Sequence, residues 1–72
     1  MKLPKVSGEK VIKALVKAGW TVERQRGSHV VLYKEGVGIL VVPLHRELDR
    51  GTLRAIIKQS GMSKEDFLKL LD

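Results

Sequence analysis

WTVERQRGSHVVLYKEGVGILVVP, residues 20–43, divides into three runs, Trp20 to Gln25, His29 to Lys34 and Gly38 to Pro43, separated by Arg26-Gly27-Ser28 and Glu35-Gly36-Val37. The runs are β-branched or alternating and each separator carries a glycine, the pattern of strands joined by tight turns. Three strands in an antiparallel meander are expected. In the second and third, both parities are largely apolar: Val30 and Leu32 alternate with Val31 and Tyr33, and Leu40 and Val42 with Ile39 and Val41. Helices packed on one side of a sheet cover only one parity. Either a further helix folds across the second face or a partner protein covers it.

Outward from this stretch the period changes to that of helices. Each of three segments opens with a small polar residue bracketed by two apolar residues five apart, the arrangement of an N-cap with a hydrophobic staple. Ser7 caps the first, with Val6 and Val11 as the staple; Val11, Ile12, Leu15 and Val16 then share one face while Lys10, Lys13 and Lys17 project from another, and the helix ends at Gly19. Asp49 caps the second, with Leu48 and Leu53 as the staple and Leu53, Ile56 and Ile57 as the apolar stripe, up to Ser60-Gly61. Ser63 caps the third, a short helix with Met62 and Phe67 as the staple and Glu65 and Asp66 in the first turn, where the helix dipole favours them. The expected fold is α+β: one small domain, residues 1–72, ordered helix, three-stranded antiparallel sheet, helix, short C-terminal helix. Both longer helices should pack on one face, with Leu15, Trp20, Val22, Ile56 and Ile57 in the core.

Seventy-two residues suffice for one hydrophobic core and not for a separate cofactor-binding unit. The absence of cysteine removes disulfides, thiolate metal sites and thiol nucleophiles together. Fourteen Lys and Arg against eight Asp and Glu give a net charge of +6, which points to a polyanionic partner. Residues 1–60 carry a net +7 and residues 61–72 a net −1, so the signal belongs to the body of the chain. Only three aromatic residues, Trp20, Tyr33 and Phe67, argue against a base-stacking platform. No apolar run approaches the roughly 18 residues of a membrane span and no signal-peptide core follows the first five residues, so a cytoplasmic protein without a membrane partner is expected.

Chemistry concentrates at His29. It opens the second strand directly after Gly27-Ser28, where backbone N–H groups can approach an anion closely, and Arg24 and Arg26 lie just upstream. Imidazole is the side chain whose ordinary titration range straddles neutrality, and cleaving RNA without a metal needs such a group beside cations that hold the phosphate. The plainer account is a strand-end histidine that only hydrogen-bonds its turn. His45, in Pro43-Leu44-His45-Arg46, is the other imidazole; whether it reaches the same end of the sheet depends on a strand register that the sequence leaves open. Gly51-Thr52 opens the second helix, where free N–H groups suit a phosphate, with Arg54 one turn on; simple helix initiation is the plainer account. The Lys10, Lys13 and Lys17 stripe is either a phosphate-binding face or plain solvated surface. No nucleotide loop, metal-spaced cluster or hydrolase elbow occurs, so no cofactor and no metal are expected.

Ser7-Gly8 before a lysine-rich helix, Ala18-Gly19-Trp20 at its end, Gly27-Ser28-His29, Val42-Pro43-Leu44-His45 and the run from Gly51 to Gln59 together resemble the HicA toxins of prokaryotic toxin–antitoxin pairs. The likeness covers about residues 7–61; the helix at about 63–71 lies outside it. The resemblance implies a double-stranded-RNA-binding-domain-like fold, an endoribonuclease that cuts mRNA with His29 of the Gly-Ser-His motif as the catalytic residue, and a HicB-type antitoxin that covers the active site. On this reading His45 is a second acid/base or positioning group, and Lys10, Lys13, Lys17, Arg24, Arg26, Gly27, Ser28, Thr52 and Arg54 contact RNA. The alternative is a non-catalytic double-stranded-RNA-binding module that reads A-form shape and backbone. A protein-interaction domain whose charge only maintains solubility is a third.

Overall fold

All three expected caps form, and they set where the helices begin. The computed structural model describes residues 3–71, ordered α1 (Gly8–Lys17), β1 (Thr21–Arg26), β2 (His29–Lys34), β3 (Gly38–Pro43), α2 (Arg50–Ser60) and α3 (Lys64–Lys69). Ser7 Oγ accepts from Lys10 N–H, Asp49 Oδ2 from Thr52 N–H and Ser63 Oγ from Asp66 N–H, each satisfying an amide that the first helical turn leaves unpaired. Past the end of α1, Trp20 N–H donates to Leu15 O at 3.0 Å, folding the chain back, and Lys34 Nζ reaches from β2 to Ala18 O at 2.7 Å. A cation there complements the negative end of the helix dipole.

The sheet is the expected antiparallel meander, ordered β1-β2-β3. Val30, Leu32, Leu40 and Val42 are buried on one face against Val11, Ala14 and Leu15 of α1 and Leu53, Ile56 and Ile57 of α2, so both helices lie on the same side. Leu3, Val6, Trp20 and Leu48 close the margins of this core. Trp20 is buried as expected, and its indole N–H has no hydrogen-bond partner in the fold.

Two expectations change. Val22 is 46% exposed rather than buried. It pairs with Leu32, but β1 is an edge strand, the register shifts between Val22 and Arg24, and all six β1 residues are exposed, so the helix layer does not bury β1. The third helix does not cross the second sheet face. Phe67 is instead fully buried in the shared core, and Lys17 Nζ donates to Leu70 O at 3.3 Å, tying α3 to α1. Tyr33, Ile39 and Val41 consequently remain exposed, Ile39 at 65%.

The tightest junction is between α1 and the end of β3. A Cβ placed on Gly8 would meet Pro43 C at 3.0 Å and Leu44 Cα at 3.2 Å, with the Pro43 carbonyl oxygen nearer still. These are backbone atoms and cannot rotate away. Gly8→Ala should therefore lower stability by about 1–3 kcal/mol through overpacking, despite alanine's better helix propensity. Chemical denaturation reads this, and an unchanged or higher midpoint would refute the close approach.

The Asp49 carboxylate also accepts from the Thr52 hydroxyl at 2.6 Å, and the two Thr52 bonds hold its pKa below the ordinary carboxylate value. A depressed folded-state pKa contributes stability above the unfolded value of about 3.9, and that contribution is lost as pH falls through the folded value. The stability difference between wild type and Asp49→Ala should accordingly be larger at neutral pH than in strong acid. A difference independent of pH would refute the ionised cap.

Candidate functional site

Strand register settles what shares a face with His29. Across the sheet His29 pairs with Arg26 on β1 and Pro43 on β3, and Val31 pairs with Arg24 and Val41. Residues directly opposite in an antiparallel ladder point the same way, and the alternate residues Val30 and Val42 face the helices. The His29 side chain is therefore on the helix-free face, in one rung with Arg26 and adjacent to the rung of Arg24. All three are exposed.

The turn before His29 is shaped by its own residues. Gly27 takes φ 55°, a left-handed conformation that glycine adopts at little cost, and Gln25 Nε2 donates to Gly27 O at 2.9 Å across the turn. Leu44 N–H donates to Ser28 O at 2.6 Å and carries the β2–β3 ladder one rung past Pro43. His45 follows at once. It thus lies at the same end of the sheet as His29, with its backbone carbonyl accepting from Gly8 N–H at 2.9 Å. Ser7, Glu9, Leu44, His45 and Arg46 line a cleft of about 280 Å³ at this corner.

The structure gathers Arg24, Arg26, Gly27, Ser28 and His29 around one sheet end, with His45 alongside. It does not bring Lys10, Lys13, Lys17 or Arg54 onto that face, because α1 and α2 form the opposite layer. Lys10 and Lys13 are exposed on α1, and Arg54 is exposed on α2. Lys17 is engaged with the Leu70 carbonyl, and the Thr52 amide and hydroxyl are both engaged by Asp49. The first turn of α2 therefore already holds a carboxylate where a phosphate was expected.

Glu9, Leu44 and Arg46 line the cleft without having stood out in the sequence. Their signal is the return of the Pro43-to-Arg46 loop beside Ser7-Gly8, which is a long-range contact, Gly8 N–H to His45 O, that no local pattern announces. Among the described residues no three His, Asp or Glu side chains gather where they could hold a metal ion. No helix among them is long and apolar enough to cross a membrane.

Known proteins share both this sequence pattern and this fold. The family model described as the HicA toxin of bacterial toxin–antitoxin systems matches residues 8–62. A solved chain from a toxin–antitoxin complex of Streptococcus pneumoniae is 34% identical with a TM-score of 0.71, over 79% of this chain and 98% of that one. None of the curated proteins matches. With the Gly27-Ser28-His29 turn, the Pro43-Leu44-His45 loop and the start of α1 all inside the matched segment, and α3 beyond it, the chain belongs to the HicA toxin family.

Proposed function

We propose that this toxin-family chain is an endoribonuclease that cleaves mRNA in the cytoplasm without a metal, with His29 as the proton-transfer group, and that a HicB-type antitoxin neutralises it. The observation that carries the reading is the rung in which His29 stands beside Arg26, one step from Arg24, on an exposed sheet face. In the reaction the 2′-oxygen attacks phosphorus and the bond to the 5′-oxygen breaks, leaving a 2′,3′-cyclic phosphate and a 5′-hydroxyl. One proton leaves the 2′-hydroxyl and one reaches the 5′-oxygen. His29 carries one of these transfers; His45, at the same end of the sheet, or water carries the other.

Arg24 and Arg26 hold the phosphate, and the Gly27-Ser28 turn lets the backbone approach it. Lys10 and Lys13 serve as longer-range contacts to the strand from the helix layer. The antitoxin reading draws on the neighbouring structure, which is described as a toxin–antitoxin complex, and on the exposed apolar face that begins next to His29. A partner seated on that face blocks access to His29.

His29→Ala separates chemistry from folding. The side chain is exposed at a strand end, so stability should change by about 1 kcal/mol or less and RNA affinity should barely move, while cleavage falls by roughly 10²–10⁴. Melting temperature, affinity and cleavage rate on the same two proteins, in chelator, decide it. A well-folded variant that still cuts RNA would sink the assignment.

Affinity should also fall with salt, with a slope on single-stranded RNA of about −0.7 per phosphate contact. Replacing Lys10 and Lys13 by Gln together should reduce the magnitude of that slope by about 1.4 if each makes one contact. An unchanged slope would assign both lysines to plain solvent.

A further inference from the structure

The cleft lined by Ser7, Glu9, Leu44, His45 and Arg46 is anchored to the turn that carries His29. Leu44 N–H is bonded to Ser28 O at 2.6 Å, and Gly8 N–H holds His45 O at 2.9 Å, so its walls are joined by main-chain bonds to the proposed catalytic strand end. Its lining includes a guanidinium and an imidazole, and one carboxylate, Glu9. On a protein of net charge +6 that holds a phosphate polymer, a carboxylate in a cleft at the same sheet end as His29 repels the backbone. An ionised carboxylate also has no hydrogen to donate. Whatever it faces in RNA must bring a hydrogen-bond donor, and beyond the 2′-hydroxyl common to every nucleotide the donors that differ between nucleotides are N–H groups. Among the described residues Glu9 is in no ion pair.

The N–H donors of single-stranded RNA lie on the Watson–Crick edges of its bases, which are read when a base is splayed from the strand. Guanine places two donors side by side, N1–H and the exocyclic amino group, and these match the two oxygens of a carboxylate. Adenine and cytosine set their amino group beside a ring nitrogen that only accepts, and uracil sets its one N–H between two carbonyls. Each of those three brings a lone pair against Glu9. Leu44 is 37% exposed and offers apolar surface to a ring, while Arg46 presents the planar fork that suits a phosphate.

We propose that this cleft is a base-selecting subsite in which Glu9 reads a guanine beside the cleaved bond and Arg46 holds an adjoining phosphate. It deepens the ribonuclease reading and rests on it. The competing account is that Glu9 only complements the dipole in the first turn of α1, which moves the melting temperature and leaves base preference alone.

Mapping the ends cut by the wild type in a random-sequence single-stranded RNA pool tests this. The expected result is an excess of guanine at one position flanking the cut, reduced about tenfold in Glu9→Gln, which turns one acceptor into a donor. Glu47→Gln removes the same charge from an exposed side chain elsewhere and should keep the wild-type preference. A wild type indifferent to guanine, or a preference that persists in a folded Glu9→Gln protein, would overturn the proposal. If the wild type cuts no RNA, the ribonuclease reading fails instead. Titration of the same proteins with short single strands carrying guanine or adenine then decides the cleft on its own, by whether the binding ratio collapses in Glu9→Gln.

Discussion

The first turn of α1 lies on the main chain of Pro43 and Leu44 with no side chain between them. This approach lets Gly8 N–H bond His45 O, and from there main-chain hydrogen bonds run on in two directions. Leu44 N–H to Ser28 O ties the end of β3 to the start of β2, and Leu48 N–H to Val6 O ties the segment leading into α2 to the segment leading into α1. Backbone bonds of this kind have one geometry, unlike apolar contacts, which tolerate some slip. They fix the corner at which two helices start, a strand ends and His29 begins. The core beneath supplies the burial energy; the corner supplies the registration.

Much of this was legible because local chemistry decides it. Ser7, Asp49 and Ser63 announce helix starts by residue type and spacing, and glycine in each turn announces the meander. The position of His29 at the start of β2 was legible for the same reason, since its place after Gly27-Ser28 is a property of neighbours in sequence. The sequence misled where three-dimensional extent matters. Val22 reads as core because of its type, yet its burial depends on how far a helix reaches over an edge strand. The cleft was invisible for a related reason: Glu9 and Arg46 are 37 positions apart and line one cleft where Gly8 N–H bonds His45 O. Register is a global quantity, and the apolar content of both strand faces left it undetermined.

The positive charge counted in the sequence is not all directed at a partner. Lys34 caps α1 from a half-buried position, and Lys17 is engaged by α3, so two cations of the basic body serve the fold. The acidic residues are similarly divided: Asp49 holds its own helix, while Glu47 stands 4.0 Å from Lys5 in an exposed pair worth little to stability. What remains beside His29 is Arg24 and Arg26 on the sheet and Arg46 at the cleft. Net charge points to the class of partner proposed above, and hydrogen bonding within the fold decides which charges are left to meet it.

The open sheet face imposes a final constraint. An edge strand with unpaired backbone groups invites pairing with another chain, and charge and irregularity along the edge discourage it. Glu23, Arg24, Gln25 and Arg26 with a register shift supply both on β1, whereas β3 presents Ile39 and Val41 with neither. A second copy docked on this side would bring a second Arg24 and Arg26 into the shared surface and raise its positive charge. The surface instead suits an occupant that is apolar opposite Val31, Tyr33, Ile39 and Val41 and acidic opposite Arg24 and Arg26. An antitoxin with such a surface, as proposed, would cover the apolar strip and the arginines together and so close over His29, because the register places all of them on one face.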